Sequence, residues 1–292
     1  MFAGNKHEDH RMKRAIKWLL KRWGYSISKE SRDQPQICRL PPLSDTQEKF
    51  IEWNALRLNI PRETARERYL ESLSAFPDGH GGEKYKEFCN LSYRVFGGLY
   101  GDTEAEIFSS YPFYGPLHML RFLSYPEKNI YTANTDFIGL LKERTEITIL
   151  DFGCGLAHES RGMARAFLEL NKPCRLLLAD IPTIRKDFAL YLCRQAGIDA
   201  AFFDCRAEMP VPAFPKYDLL VATEIFEHVY DPVKYFEALN ANLNKGGLIY
   251  TNVSDHHREF MHVSPNLEKL RTHIIASGFQ EIRDHTLFQK PY

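Results

Sequence analysis

From residue 147 onward, short apolar runs alternate with stretches of helical periodicity. Ile147-Thr-Ile-Leu150, Arg175–Asp180, Asp199–Asp204, Tyr217–Glu224 and Leu248–Val253 read as five strands. Their near-continuous apolar character is that of strands buried on both faces, as in a parallel sheet. Between them Ala157–Leu170, Pro182–Ala196, Pro232–Leu243 and Leu267–Ser277 read as helices, with Gly246-Gly247 and Gly278 as stops. Two short strands fit within 279–291. The alternation predicts an α/β fold: a doubly wound, mostly parallel, seven-stranded sheet with helices on both faces.

Before residue 131 the pattern is helical. Met12, Ala15, Ile16, Leu19 and Trp23 form one stripe, and Arg11, Lys13, Arg14, Lys17, Lys21 and Arg22 cover most of the remaining surface. A basic amphipathic helix over 10–24 can lie on an anionic membrane surface. It can equally dock on its own protein or on a second subunit of an oligomer. Residues 25–43 read as a Pro-containing linker. Ser44-Asp-Thr-Gln47 is a capping-box pattern before Phe50, Ile51 and Leu56. Pro61 suits the first turn of a further helix, and 84–96 reads as another. Aromatic residues crowd from Phe96 to Tyr131, as the core under a helical cap or as the wall of a ligand site. The expected division is a helical N-terminal region over 1–130 and a ligand-binding domain over 131–292.

Composition narrows the classes. Lys plus Arg and Asp plus Glu both number 38, so the chain is formally neutral. This argues against a broad nucleic-acid surface, which needs basic excess. The six cysteines, Cys38, Cys89, Cys154, Cys174, Cys193 and Cys205, contain no C-x-x-C pair. They read as free thiols in a reducing compartment. No apolar run reaches membrane-spanning length, and the first residues lack a signal-peptide pattern, so a cytoplasmic protein is expected; peripheral contact at the inner face of a membrane through 10–24 is the alternative to docking on protein.

The chemistry gathers at strand ends. The first strand leads into Asp151-Phe-Gly-Cys-Gly155 and then a helix. Gly153 and Gly155 let the backbone turn sharply and approach a ligand closely, at a helix N-terminus with free N–H groups. Asp180, ending the second strand, stands where a carboxylate meets ribose hydroxyls. Asp204, ending the third, can accept from an exocyclic amine. Each acid alone also suits a helix N-cap; their succession at neighbouring strand ends is harder to explain by capping. After the fourth strand, Glu224, Glu227 and His228 are spaced i, i+3 and i+4, which places them on one face of a helical turn. Two carboxylates and an imidazole suit a divalent ion, Mg²⁺ or Mn²⁺ more than structural zinc. Equally, they can line a pocket or cap the helix. Ser254–His262 supplies more imidazoles.

With these residues in place, the sequence resembles the class I S-adenosylmethionine-dependent methyltransferases over roughly 130–292. The carriers are Asp151-Phe-Gly-Cys-Gly155, Ala179-Asp180, Phe203-Asp204 and Glu224-Ile-Phe-Glu-His-Val-Tyr-Asp-Pro232. The resemblance implies a Rossmann-like methyltransferase fold with S-adenosylmethionine as cofactor. It places Asp151, Phe152, Gly153, Cys154 and Gly155 at its methionine and ribose part, and Asp180 with Ile181 at the ribose. It places Asp204 and Cys205 at adenine, with Thr223 and Glu224 completing the set. Ala157 stands where the family often has a third glycine. The E-x-x-E-H stretch is similar to that of ubiquinone-biosynthesis O-methyltransferases and of small-RNA 3′-terminal 2′-O-methyltransferases. That likeness implies Glu224, Glu227, His228 and His262 as metal ligands, with His256 or His257 as a less favoured fourth.

A metal would acidify an acceptor hydroxyl; without one, His228 or His257 can serve as general base beside Glu227. Both routes favour an oxygen acceptor, so O-methylation of a small-molecule or glycan hydroxyl is the expected function. RNA 2′-O-methylation and a non-catalytic, cofactor-binding or membrane-tethered scaffold are the rival readings.

Overall fold

In the computed structural model, residues 42–76, 82–88, 136–256 and 262–292 are described, with isolated positions between 105 and 123. The basic stretch 10–24, the linker 25–41, Cys38, Cys89, His257 and most of the aromatic stretch 96–131 lie outside the described residues. Leu43–Tyr292 form one unit, and the sequence-derived division at 130/131 falls within it. Among the described residues no helix is long and apolar enough to cross a membrane.

The apolar runs form strands β1 (Ile147–Phe152), β2 (Cys174–Asp180), β3 (Asp199–Asp204), β4 (Tyr217–Ala222) and β5 (Leu243–Thr251). With β6 (Gln280–Arg283) and β7 (Leu287–Gln289) they make a seven-stranded sheet of order β3-β2-β1-β4-β5-β7-β6. The first five strands pair in parallel; β7 runs antiparallel to β5 and β6. Successive side chains of a strand point to opposite faces. Leu150, Phe152, Leu177, Leu220 and Ile249 therefore enter one core, and Ile149, Leu176, Leu178, Leu219, Val221 and Leu248 enter another. This two-sided burial is why the runs read as continuously apolar.

The helices are α1 (Asp45–Leu58), α2 (Arg62–Ser74), α3 (Asp136–Leu140), α4 (His158–Glu169), α5 (Ile184–Gln195), α6 (Pro232–Asn240) and α7 (Glu268–Ala276). Helices α4 and α5 cover one face through Met163, Phe167, Ala189 and Cys193. Helices α6 and α7 cover the other through Phe236, Leu239, Leu270 and Ile274. A third core joins α1 and α2 to α5: the Phe188 ring lies edge-on to Phe50 at 5.4 Å and tilted to Trp53 at 5.1 Å. The Ser44 capping box is fully formed, Ser44 Oγ accepting from Gln47 N and Gln47 Oε1 from Ser44 N.

One boundary differs from the sequence expectation. Gly246-Gly247 do not close a helix. The helix ends at Asn240, and the glycines lie inside β5, where the pairing with β4 shifts register between Tyr217 and Leu219. Gly246 has φ 67°, and a Cβ on Gly247 would stand 2.7 Å from the Asn244 carbonyl. Glycine inside a strand marks such irregularities as well as helix ends.

Strand order reverses between β1 and its neighbours β2 and β4, which creates a crevice at the carboxyl ends of the parallel strands.

Candidate active site

The loop after β1 is tied to β2: Gly153 N and Cys154 N both donate to the Ala179 carbonyl, at 2.7 and 3.1 Å. Gly153 and Gly155 have φ 77° and 53°, the left-handed region that favours glycine. A Cβ on Gly153 would fall 1.9 Å from Ile225 Cδ1. At Gly155 the nearest atoms to such a Cβ are 3.9 Å away, on Arg185 and Phe122, so the loop backbone is open to a ligand there. Ala157 also adopts the left-handed conformation (φ 55°, ψ 37°) and is fully buried. The alanine thus keeps the backbone geometry a glycine would give.

Asp180 is fixed by the loop it faces. Its Oδ2 accepts from Gly155 N at 2.9 Å and its Oδ1 from Ile181 N at 2.7 Å. Oδ2 also accepts from Arg185 Nη2 at 3.4 Å, so of a carboxylate's roughly four acceptor positions about one remains for a ribose hydroxyl. Asp151 lies beneath the loop and accepts from Ser160 Oγ at 2.5 Å. Burial pushes its carboxyl up to about 7, against the opposing Ser160 hydrogen bond. Burial, with Asp180 next, raises the Cys154 and Cys205 thiols as well, so both are neutral rather than nucleophilic thiolates near pH 7. Asp204 pairs with Lys186 at 2.7 Å and Arg206 at 3.2 Å. Partial burial works to raise its carboxyl, but those two hydrogen bonds outweigh it and hold the group below its usual range. Phe152 points into the core, its ring 6.1 Å from Tyr235. Thr223 Oγ1 donates to Glu159 Oε2 at 2.9 Å, linking the end of β4 to the first turn of α4.

The Glu224–His228 stretch is not one helical turn. Glu224 has φ 54°, which breaks the repeat, and only Phe226–His228 form a 3₁₀ turn. Glu224 Oε1 accepts from Asn252 Nδ2 at 2.6 Å, across the gap between the β4 and β5 ends. Glu227 is fully buried, and neither of its carboxylate oxygens has a hydrogen-bond partner among the described residues. Burial, with Glu224 adding to it, pushes this carboxyl up to about 8. The donor atoms of Glu227, His256 and His262 all lie within 4.8 Å of one another. Buried His256 Nε2 also has no hydrogen-bond partner among the described residues. The His262 ring stands edge-on to His228 at 4.9 Å and to His256 at 5.4 Å. His228 Nε2 is 3.8 Å from Glu227 Oε1. Of the sequence-derived candidates, Glu227, His256 and His262 bring donor atoms within 4.8 Å of one another, His228 borders this group, and Glu224 is bonded to Asn252. An unpaired buried carboxylate beside two imidazoles fits a divalent cation.

Sequence reasoning passes over Arg185, which is buried beside Asp180. Its signal is a cation on the stripe of Phe188, Ala189 and Leu192.

A sheet of this order, with a Gly-x-Gly loop, a carboxylate at the end of β2 and a second acid at the end of β3, defines a nucleoside-type cofactor site of the class I methyltransferase kind. The profile of the methyltransferase domain family matches residues 125–280, and the chain belongs to that family, within the S-adenosylmethionine-dependent class I superfamily. It is 30% identical over 135 residues to a ubiquinone biosynthesis O-methyltransferase of Ruegeria pomeroyi, covering 46% of this chain and 52% of that protein. It is also 30% identical over 103 residues to the Cereibacter sphaeroides protein of the same name, covering 35% and 39%. The chain thus spans about half the length, or less, of the curated relatives it matches. Among solved structures it is similar to the plantazolicin methyltransferase BpumL in complex with SAH, at 18% identity and a TM-score of 0.41, covering 66% of this chain and 78% of that one.

Proposed function

We propose that this protein transfers a methyl group from S-adenosylmethionine to a hydroxyl of a small molecule, with a divalent cation at the acceptor side. The observation that carries the reading is Glu227: a buried carboxylate with both oxygens unpaired among the described residues, converging with His256 and His262. A buried carboxylate without partners is costly unless a cation or proton satisfies it. Glu227 follows β4, Glu224 bonds Asn252 at the β5 end, and Ile225 between the two acids packs against Gly153 of the glycine loop; this closeness to the cofactor crevice supports an acceptor-side role for the cluster. The two relatives are named for O-methylation, which supports an oxygen acceptor.

Bound S-adenosylmethionine supplies an electrophilic methyl on its sulfonium. The chain's part is alignment and proton removal. Asp180, held by Gly155, Ile181 and Arg185, accepts a ribose hydroxyl. The open backbone at Gly155 lets the cofactor lie against the loop. His228, 3.8 Å from Glu227, would take the acceptor's proton. A divalent ion held by Glu227, His256 and His262 would supply positive charge that acidifies the acceptor hydroxyl. Two nitrogens and one oxygen favour Mn²⁺ over Mg²⁺.

The test is transfer of labelled methyl to a catechol, with and without chelator. Activity that is lost with chelator, restored by Mn²⁺ and reduced at least tenfold in Glu227→Gln supports the reading. Activity indifferent to both chelator and Glu227→Gln removes the metal from it. Methylation of RNA in place of the catechol overturns the small-molecule acceptor.

A further inference from the structure

We infer that Arg185 is a positioning residue for the cofactor: its guanidinium holds Asp180 in the ribose-binding geometry and packs the Tyr111 and Phe122 rings onto the same edge of the site. The inference rests on the methyltransferase reading of that crevice.

Arg185 lies in the first turn of α5, and Thr183 caps that helix by accepting from Arg185 N at 3.2 Å. The cap and the apolar stripe that follows turn the arginine inward, so it is 2% exposed. A guanidinium so deep needs charge and aromatic partners. It has an acid, Asp180, whose Oδ2 lies 3.4 Å from Nη2. It has two rings, its Cζ standing 4.7 Å from the Tyr111 centroid and 5.6 Å from that of Phe122. These are cation–π distances, at which a desolvated pair is strong. Burial would lower the guanidinium's pKa, but Tyr111 and Asp180 outweigh it, so the charge is retained. Burial pushes the Tyr111 phenol up to about 12, against the opposing charge of Arg185, so that ring is neutral.

The same Asp180 Oδ2 receives Gly155 N. Arg185, the loop and the acid therefore share one oxygen. This leaves less freedom to Asp180 than a strand-end carboxylate normally has, with about one acceptor position left for a ribose hydroxyl. Nη1 of Arg185 is also one of the two atoms nearest the open side of Gly155, the other being on Phe122. Arginine and ring together border the space that the ribose would enter.

The experiment is calorimetric titration of the full chain with S-adenosylhomocysteine and with its 2′,3′-dideoxyribose analogue. Expected for Arg185→Met is a loss of at least tenfold in affinity for S-adenosylhomocysteine, with less than twofold change for the dideoxy analogue. Arg185→Lys keeps the charge needed for folding and loses the planar fork; it should lose at least threefold on the first ligand alone. Equal losses on both ligands, or none, in Arg185→Lys would overturn the inference, whatever the fate of Arg185→Met. Wild-type protein that binds neither ligand would overturn the methyltransferase reading itself.

Discussion

Ala157 holds a left-handed backbone at the start of α4, where a non-glycine residue is held at a cost of about 1–2 kcal/mol. Its buried methyl recovers about 0.8 kcal/mol, and glycine would enlarge the freedom of the unfolded chain. These effects nearly cancel. Ala157→Gly should shift stability by less than about 1 kcal/mol in urea denaturation and leave cofactor affinity within twofold. Glu227 behaves differently. Its carboxyl is pushed up to about 8 by burial, so the folded protein binds more protons than the unfolded chain above the ordinary carboxylate range. Stability without metal therefore falls as pH rises from the ordinary carboxylate pKa to about 8. Asp151 adds to the same slope, so the difference between two proteins is the informative quantity. Glu227→Gln should gain on the wild type between pH 5 and pH 8 by a few kcal/mol at most, roughly 1.4 kcal/mol for each tenfold by which folding tightens the hold of this carboxyl on its proton. Adding Mn²⁺ should raise the wild-type melting temperature more at pH 8 than at pH 6, because at pH 6 the ion must displace the Glu227 proton, about half of which is already lost at pH 8, and should not raise that of the glutamine variant.

At the scale of elements, the central strands β1, β2 and β4 are legible in the sequence because both faces of each are buried, which leaves no polar alternation to misread. The Ser44 box is legible because its two hydrogen bonds need only residues three apart. Ser44→Ala should destabilise α1 by about 1 kcal/mol, read as a lower denaturation midpoint with an unchanged slope. Gly246-Gly247 mislead because glycine punctuates strands and helices alike. The Glu224–His228 turn misleads because i, i+3, i+4 spacing says nothing of a backbone that leaves the helical region at Glu224. The place of Arg185 on α5 is hidden for a related reason: a cation on an apolar stripe gains meaning only when the acid and the rings around it are placed.

Across the whole molecule, parallel order is what turns scattered motifs into one site. Asp151, Asp180, Asp204 and Glu224 are far apart in sequence, yet all end or follow strands that run the same way in one sheet. The cofactor half of the site is therefore readable from strand ends alone. The acceptor half is only partly readable. Glu227 and His262 stand out as types, but the participation of His256 depends on how the chain returns after β5, where His256 N donates to the Pro265 carbonyl and Ser264 N to that of Glu227. Such loop closures leave no periodic trace. The central claim is that the crevice at the carboxyl ends of β1, β2 and β3 binds S-adenosylmethionine. Calorimetric titration with S-adenosylhomocysteine tests it most directly. The structure predicts one site per chain, weakened at least tenfold in Asp180→Ala; no binding by the wild type, or equal binding by both proteins, would contradict it.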